Sequence, residues 1–389
     1  MGSQNNDSQT VLVLGGGAGG LVSAGRLRKK LPASHRVVLV DRSERYVYDP
    51  SLLWLMTGSR TPENITRSRR RLERKGIEVV LGEIEHIDPA KHFVRVDGNE
   101  VEGDHIIISL GAELVPELVS GLAEAGHNFY TLEGAESLRD AVRNLRSGRL
   151  VVLTASSVYK CPAAPYEAAL LLEADCRRRG VGGHVQIDVY AAEQGPMGVA
   201  GPEVSAGVKE MLRSQEIGYH PEHQVGAVDP EAGMIAFVDG TEVGFDLLAY
   251  VPPHRAPQVV HEAGLVGESG WVTVDPHTLE TGFPGVYAIG DITSIPLAMG
   301  KPLPKAGVFA HGQAEVVVDN IVHSISGKGR PARFDGHGAC FIETGDGRAG
   351  FGRGDFYAKP VPEVKLYRPG RHWHVGKVLF EKDWLFRRF

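Results

Sequence analysis

Val11-Leu12-Val13-Leu14 runs straight into Gly15-Gly16-Gly17-Ala18-Gly19-Gly20, and a helical stretch follows through Ala24 to Lys30. The next apolar run, Val37-Val38-Leu39-Val40, ends at Asp41, 21 residues beyond the last glycine. A glycine-rich turn alone is common. Strand, glycine turn, helix and acid-ended strand in this order are the dinucleotide fingerprint of a βαβ unit. Gly15 makes the turn, Gly17 lets a pyrophosphate approach the backbone, Gly20 lets the helix pack, and Asp41 takes a ribose hydroxyl. Ala18, Gly19 and Arg42 complete the candidate contacts of this cofactor site. A chain that starts this way is committed to an α/β fold with a parallel sheet.

The rest of the composition agrees. The 389 residues suffice for two or three domains, and many of the 49 glycines fall in strand-to-helix turns. A net charge of −6, with both signs spread along the chain, argues against a nucleic-acid binder. Three cysteines cannot staple a secreted scaffold, so a pair of them points to redox chemistry. No metal-ligand spacing stands out. Met1 to Asp7 has neither a basic nor an apolar export region, and no run reaches the ~18 apolar residues of a spanning helix. The expectation is a protein that is soluble or lies on a membrane.

A second βαβ unit is centred on the apolar strand Val151-Val152-Leu153, a loop through Cys161, a helix from Tyr166 and a strand over Val185 to Tyr190. Its first turn lacks the glycines of a nucleotide cradle. Gly180-Val181-Gly182-Gly183 precedes a strand instead of following one, so NAD(P)H binding in the usual mode is disfavoured. The turn carries Cys161 beside Lys160 and just before a helix N-terminus, both of which favour a thiolate. A buried structural thiol fits the position equally well. Cys176 falls about four turns into that helix and reads as structural.

Three further motifs bear on the first site. Thr281-Gly282-Phe283-Pro284-Gly285-Val286-Tyr287-Ala288-Ile289-Gly290-Asp291 resembles the second FAD motif of flavoproteins with two dinucleotide-binding domains. Ile106-Ile107-Ile108-Ser109-Leu110-Gly111 resembles their "ATG" strand, and the segment around Ile84 sits where backbone meets adenine. The resemblance implies FAD at the first site. The expected architecture has two Rossmann-like domains and a small C-terminal region. Residues 1–112 with 280–330 bind FAD, 113–279 carry Cys161, and 331–389 carry Cys340 and the tail.

Cys161-Pro162-Ala163-Ala164-Pro165-Tyr166-Glu167 is similar to the C-x-x-A-P-x-E motif of sulfide:quinone oxidoreductases and the flavoprotein subunit of flavocytochrome c sulfide dehydrogenases. Tyr48 to Trp54, Glu193 to Gly198, Pro304 to Gly307 and Gly376 to Lys382 look like the same group. The resemblance implies a Cys161–Cys340 redox disulfide on the side of the flavin opposite a quinone. Hydrosulfide attacks it, one cysteine becomes a persulfide, and the other passes electrons to FAD. Gly307 and Lys377 match positions that touch FAD in the family. Residues 113 to 160 lack the third cysteine of many members, and residues 42 to 60 lack the cysteine that tethers flavin in others. The FAD is therefore expected to be non-covalent. Other readings are a flavoprotein subunit serving a cytochrome, a type II NADH:quinone dehydrogenase, and a redox-sensing flavoprotein. Homo-oligomerisation is left open.

Three stretches keep two readings each. Tyr46 to Gly58 is either core or the lining of a flavin or apolar substrate. Arg67 to Lys75 reads as a solvated basic face rather than a phosphate or lipid-head patch. In the tail, apolar residues 378, 379, 385, 386 and 389 share a helical face ringed by Lys and Arg, as in a helix lying on a membrane; a tail packed on its own domain is the alternative. The expected location is peripheral, at the cytoplasmic side of the cell membrane. Phe341, Phe351, Phe356, Tyr357 and Phe380 are candidates for gripping a planar quinone.

Overall fold

A computed structural model describes residues 8–327 and 329–389; the Met1 to Asp7 segment read for export signals lies outside them. Thr10–Leu14 forms the centre of a five-stranded parallel sheet, in the order Val286–Ala288, His105–Ile108, Thr10–Leu14, Arg36–Asp41, Glu78–Leu81. Helices cover it, chiefly Ala18–Lys30 packed against Gly307–Ser326. Val11 to Leu14 and Ile106 to Ile108 are fully buried, because a parallel strand under helices has no solvent face.

The second sheet is also parallel and five-stranded, in the order His127–Asn128, Leu247–Val251, Gly148–Thr154, Val185–Ala191, Gly218–His220. Its principal helix is Ala164–Arg178. The fold is thus α/β with two Rossmann-like halves, as the two βαβ signatures imply. Beyond Val251 the chain leaves this sheet, and Ala256, Val260, Leu265, Trp271, Val272 and Val274 pack in the first core. Antiparallel three-stranded sheets flank each half, over residues 84–102 and 225–244.

The C-terminal region is a third unit. His337–Gly345, Arg348–Asp355 and Glu363–Gly370 form an antiparallel sheet, and the helix Arg371–Arg387 closes the chain. The Cys161 helix packs on the first of these strands.

Within Tyr46 to Gly58, residues 46, 48 and 51–56 are buried, and the stretch joins the halves. Tyr46 and Tyr48 belong to the first core, whereas Leu52–Met56, a short helix, is wholly buried in the second. The tail helix has one buried face and one exposed face. Trp384 and Leu385 are buried against the protein, while Val375, Leu379 and Phe386 are 53%, 60% and 84% exposed. Successive helical positions lie about 100° apart, so 375, 379 and 386 share an outward stripe and 385 does not.

Candidate active site

The first sheet ends in a cradle shaped by close approaches. Gly15 has φ +91°, and a Cβ there would lie 2.5 Å from the Ser109 carbonyl oxygen. A Cβ at Gly20 would lie 1.8 Å from the carbonyl oxygen of Gly15, so only glycine lets turn and helix close. The Ser109 hydroxyl ties the crossing strand to this turn by donating to the Leu14 and Gly15 carbonyls, at 2.9 and 2.8 Å. At Gly17, by contrast, a Cβ would meet nothing within 4 Å.

The helix that starts at Ala18 has neither a capping side chain nor an acid in its first turn, and the same holds for the helix that starts at Gly307. A Cβ at Gly307 would lie 3.7 Å from that of Ala18, so two positive helix ends face one place. A Cβ at Gly19 would instead strike Ile289, which fits close packing. Asp41 Oδ2 accepts from Gly16 N at 2.7 Å. Gly111 adopts φ +70° with open space around it, and Ile84 is buried at the start of its strand. Gly290 N donates to Gln313 Oε1 at 2.7 Å. Beside it, Asp291 Oδ1 is buried without a partner, and burial pushes this carboxyl above its usual range. Arg42 is exposed at the end of its strand. Open backbone, acid-free helix ends and an unpartnered carboxylate are what a pyrophosphate and a ribityl chain require, and these residues fit FAD.

Arg69 belongs to this cradle, although it sits in the run read as a solvated basic face. It is 7% exposed. Its guanidinium donates to the Gly16, Ser43 and Arg45 carbonyls and lies 3.3 Å from Asp41 Oδ2. Composition could not single it out among five neighbouring arginines.

Cys161 precedes the helix Ala164–Arg178 and Cys340 lies on the strand His337–Gly345, and these two elements pack together, tied by Glu343 N donating to Glu167 Oε1 at 2.8 Å. Cys161 takes φ +53°, a conformation that costs an L-residue about 1–2 kcal/mol. Backbone bonds hold it there: Cys161 N donates to the Lys305 carbonyl at 2.6 Å, and the Tyr130 hydroxyl donates to the Cys161 carbonyl at 3.2 Å. Cys340 lies on the strand His337–Gly345, and its thiol donates to the Phe341 carbonyl at 3.3 Å. Both stand as free thiols.

Their electrostatics run against the local factors that favour a thiolate at Cys161. Burial pushes the Cys161 thiol well above its ordinary value, with Cys340 and Glu167 adding to the rise. Burial and Glu167 push Cys340 up to about 12. The helix N-terminus and Lys160 do not prevail, because desolvation outweighs them and Lys160 Nζ pairs with Asp49 Oδ2 at 3.0 Å. The cation that lowers both thiols is Lys377. It donates to Glu167 Oε1 at 2.6 Å, which ties it to the first turn of the Cys161 helix. Cys176 is 1% exposed and accepts from Arg179 at 3.3 Å, in keeping with its structural reading.

Glu343 and His374 were not legible as site residues. Glu343 is 1% exposed; its backbone N donates to Glu167 Oε1 at 2.8 Å, and its carboxylate meets His374 Nδ1 at 2.9 Å. Glu193 falls in a stretch whose sequence shows only a likeness to the family. It sits just past a strand of the second sheet and accepts from Thr154 Oγ1 at 3.0 Å, from the Tyr159 hydroxyl at 2.5 Å and from the Tyr166 hydroxyl. Of the aromatic candidates, Phe341 and Phe351 lie 5.0 Å apart, and Trp373 stacks on Phe351 at 4.4 Å. Phe356 and Tyr357 are elsewhere, against Phe309 and Phe334. Phe380 is half-exposed beside Trp384.

Residues 9–314 match the family model described as pyridine nucleotide-disulphide oxidoreductase. The mitochondrial sulfide:quinone oxidoreductase of Mus musculus is 27% identical over 90% of this chain and 79% of its own. The sulfide-quinone reductase of Aquifex aeolicus is 26% identical over 97% of this chain and 90% of its own. The crystal structure of the Aquifex aeolicus sulfide:quinone oxidoreductase superposes with a TM-score of 0.89 at 25% identity, covering 98% of this chain and 91% of that one. This chain therefore belongs to the pyridine nucleotide-disulphide oxidoreductases, and within them stands with the sulfide:quinone oxidoreductases as an FAD-binding flavoenzyme.

Proposed function

We propose that this protein oxidises sulfide at Cys161 and Cys340 and delivers the electrons through FAD to a quinone. The observation that carries the reading is the bridge at Glu167, which joins the Cys161 helix to the Cys340 strand and to a buried lysine. Its Oε1 accepts from Glu343 N at 2.8 Å and from Lys377 Nζ at 2.6 Å.

In the oxidised state the pair is a disulfide. Hydrosulfide attacks one sulfur and the S–S bond breaks. One cysteine then bears a persulfide while the other leaves as a thiolate, which Lys377 stabilises against its burial. A second hydrosulfide takes the outer sulfur as disulfane, and the disulfide re-forms as two electrons leave the pair. Bound FAD supplies the two-electron acceptor. Gly17, the Ala18 and Gly307 helix ends, Asp41 and Asp291 would hold it non-covalently.

Glu193 supports a single nucleotide site. It puts a carboxylate at the edge of the second sheet, where the phosphates of a second dinucleotide would otherwise meet backbone. The cluster of Phe341, Phe351 and Trp373 offers flat apolar faces to a quinone ring. Among the described residues no helix is long and apolar enough to cross a membrane. The stripe of Val375, Leu379 and Phe386, with Arg371, Lys382 and Arg387 nearby, suits a helix resting in a lipid interface. The reading places the protein peripherally, at the cytoplasmic face of the cell membrane.

Sulfide-dependent reduction of decylubiquinone tests the reading. Cys161→Ala or Cys340→Ala abolishes it, and Cys176→Ala spares it. Activity that survives both of the first two changes removes the mechanism.

A further inference from the structure

The terminal helix is bolted to the connection that supports the FAD cradle. Its Glu381, 3% exposed, receives Arg60 through three hydrogen bonds of 2.7 to 3.1 Å and Ser51 Oγ at 2.5 Å. Three residues on, Trp384 Nε1 donates to the Tyr46 hydroxyl at 2.8 Å, and the Phe389 ring lies 5.0 Å from that of Tyr46. Arg67 donates to the Leu385 carbonyl at 3.2 Å, and Lys75 to the Arg387 carbonyl at 2.8 Å. Every one of these partners lies between residues 46 and 75. Tyr46 is 4% exposed, and the Arg69 guanidinium sits 5.6 Å above its ring. That guanidinium grips the Gly16 carbonyl in the glycine turn and stands beside Asp41.

We infer that Trp384, Tyr46 and Arg69 are positioning residues for FAD, through which the terminal helix sets how tightly the glycine turn holds the cofactor. Nothing in this inference requires sulfide or quinone; it requires only that the first cradle binds FAD. A planar guanidinium spanning three carbonyls fixes the turn in a way that a lysine ammonium cannot. Linkage makes the coupling reciprocal: if the docked helix raises FAD affinity, FAD strengthens docking of the helix by the same factor.

The test uses the full-length protein stripped of FAD, with cofactor return followed by flavin fluorescence and the melting of the apoprotein measured alongside. Trp384→Phe keeps an aromatic side chain, smaller than the indole, and removes the N–H donor, so it raises the FAD Kd about fivefold, and Arg69→Lys about tenfold or more. Phe386→Ser, on the outward stripe of the same helix, leaves Kd unchanged. Amide exchange over residues 378–387 slows when FAD binds. Apoprotein melting of the Trp384→Phe and Arg69→Lys variants falls by less than the loss of FAD affinity corresponds to, which separates positioning from general destabilisation. The inference is overturned if both variants bind FAD within twofold of wild type, or if their loss of affinity comes with an equal loss of apoprotein stability.

Discussion

Glu167 offers a quantitative test of the cysteine pocket. Its carboxylate is 2% exposed and, after burial, is the largest influence raising the Cys340 thiol to about 12. At pH 8 such a thiol is ionised in about one molecule in ten thousand. Glu167→Gln removes the negative charge and keeps the shape, with an amide oxygen still able to accept from Lys377 and Glu343. Removing a nearby negative charge favours the anion, so the Cys340 pKa falls. A charge at this range shifts a pKa by about 1–3 units, and a fall of ~2 raises the thiolate fraction about a hundredfold. A less basic thiolate is also a weaker nucleophile, with a Brønsted slope of ~0.4–0.5, so the alkylation rate at pH 8 rises only about tenfold. The assay is iodoacetamide labelling of the reduced protein in a Cys161→Ser background, followed by mass spectrometry of the Cys340 peptide from pH 7 to 11. The wild-type midpoint lies above this range, and Glu167→Gln brings it down into the range. A midpoint that stays put, or moves up, refutes the claim that Glu167 and Lys377 set the charge of this thiol.

Two more outcomes are expected from the terminal helix. Leu379→Ser together with Phe386→Ser exposes no core, yet removes two side chains worth about 1.5–3 kcal/mol each on burial, so sedimentation with anionic liposomes is lost while FAD content is kept. Unchanged sedimentation makes the stripe an ordinary surface. Glu381→Ala leaves the partly buried Arg60 guanidinium without its carboxylate and lowers stability by about 3–5 kcal/mol in chemical denaturation, whereas removing Glu210 from its fully exposed pair with Arg213 leaves stability almost unchanged. Similar losses on removing either glutamate would show that Glu381 is no anchor.

The outward position of Phe386 also dictates how the membrane reading is tested. Deleting the chain from Asp383 onward would remove Trp384 and Phe389 from Tyr46 as well as Phe386 from the lipid side. Point changes on the stripe separate the two.

What could be read from the residues alone was governed by short-range sterics and by burial on both faces of a strand. Gly15 and Gly20 announce their turn because no side chain fits within a few ångströms of the Ser109 and Gly15 carbonyls, a constraint written into local spacing. Val151 to Leu153 reads as a parallel strand because helices on both sides demand an unbroken apolar run. The C-terminal sheet gave no such signal: its glycine-rich strands are half-exposed and lack clear alternation. Only tertiary structure decided which arginine of a basic run goes inside, since Arg69 differs from its neighbours solely in the carbonyls that fold around it. The surroundings of Cys161 were decided the same way. Its neighbours in sequence, Lys160 and the helix, favour a thiolate; burial and its neighbours in space, Cys340 and Glu167, raise the thiol, because desolvation depends on every atom nearby and not on the few that are adjacent in the chain.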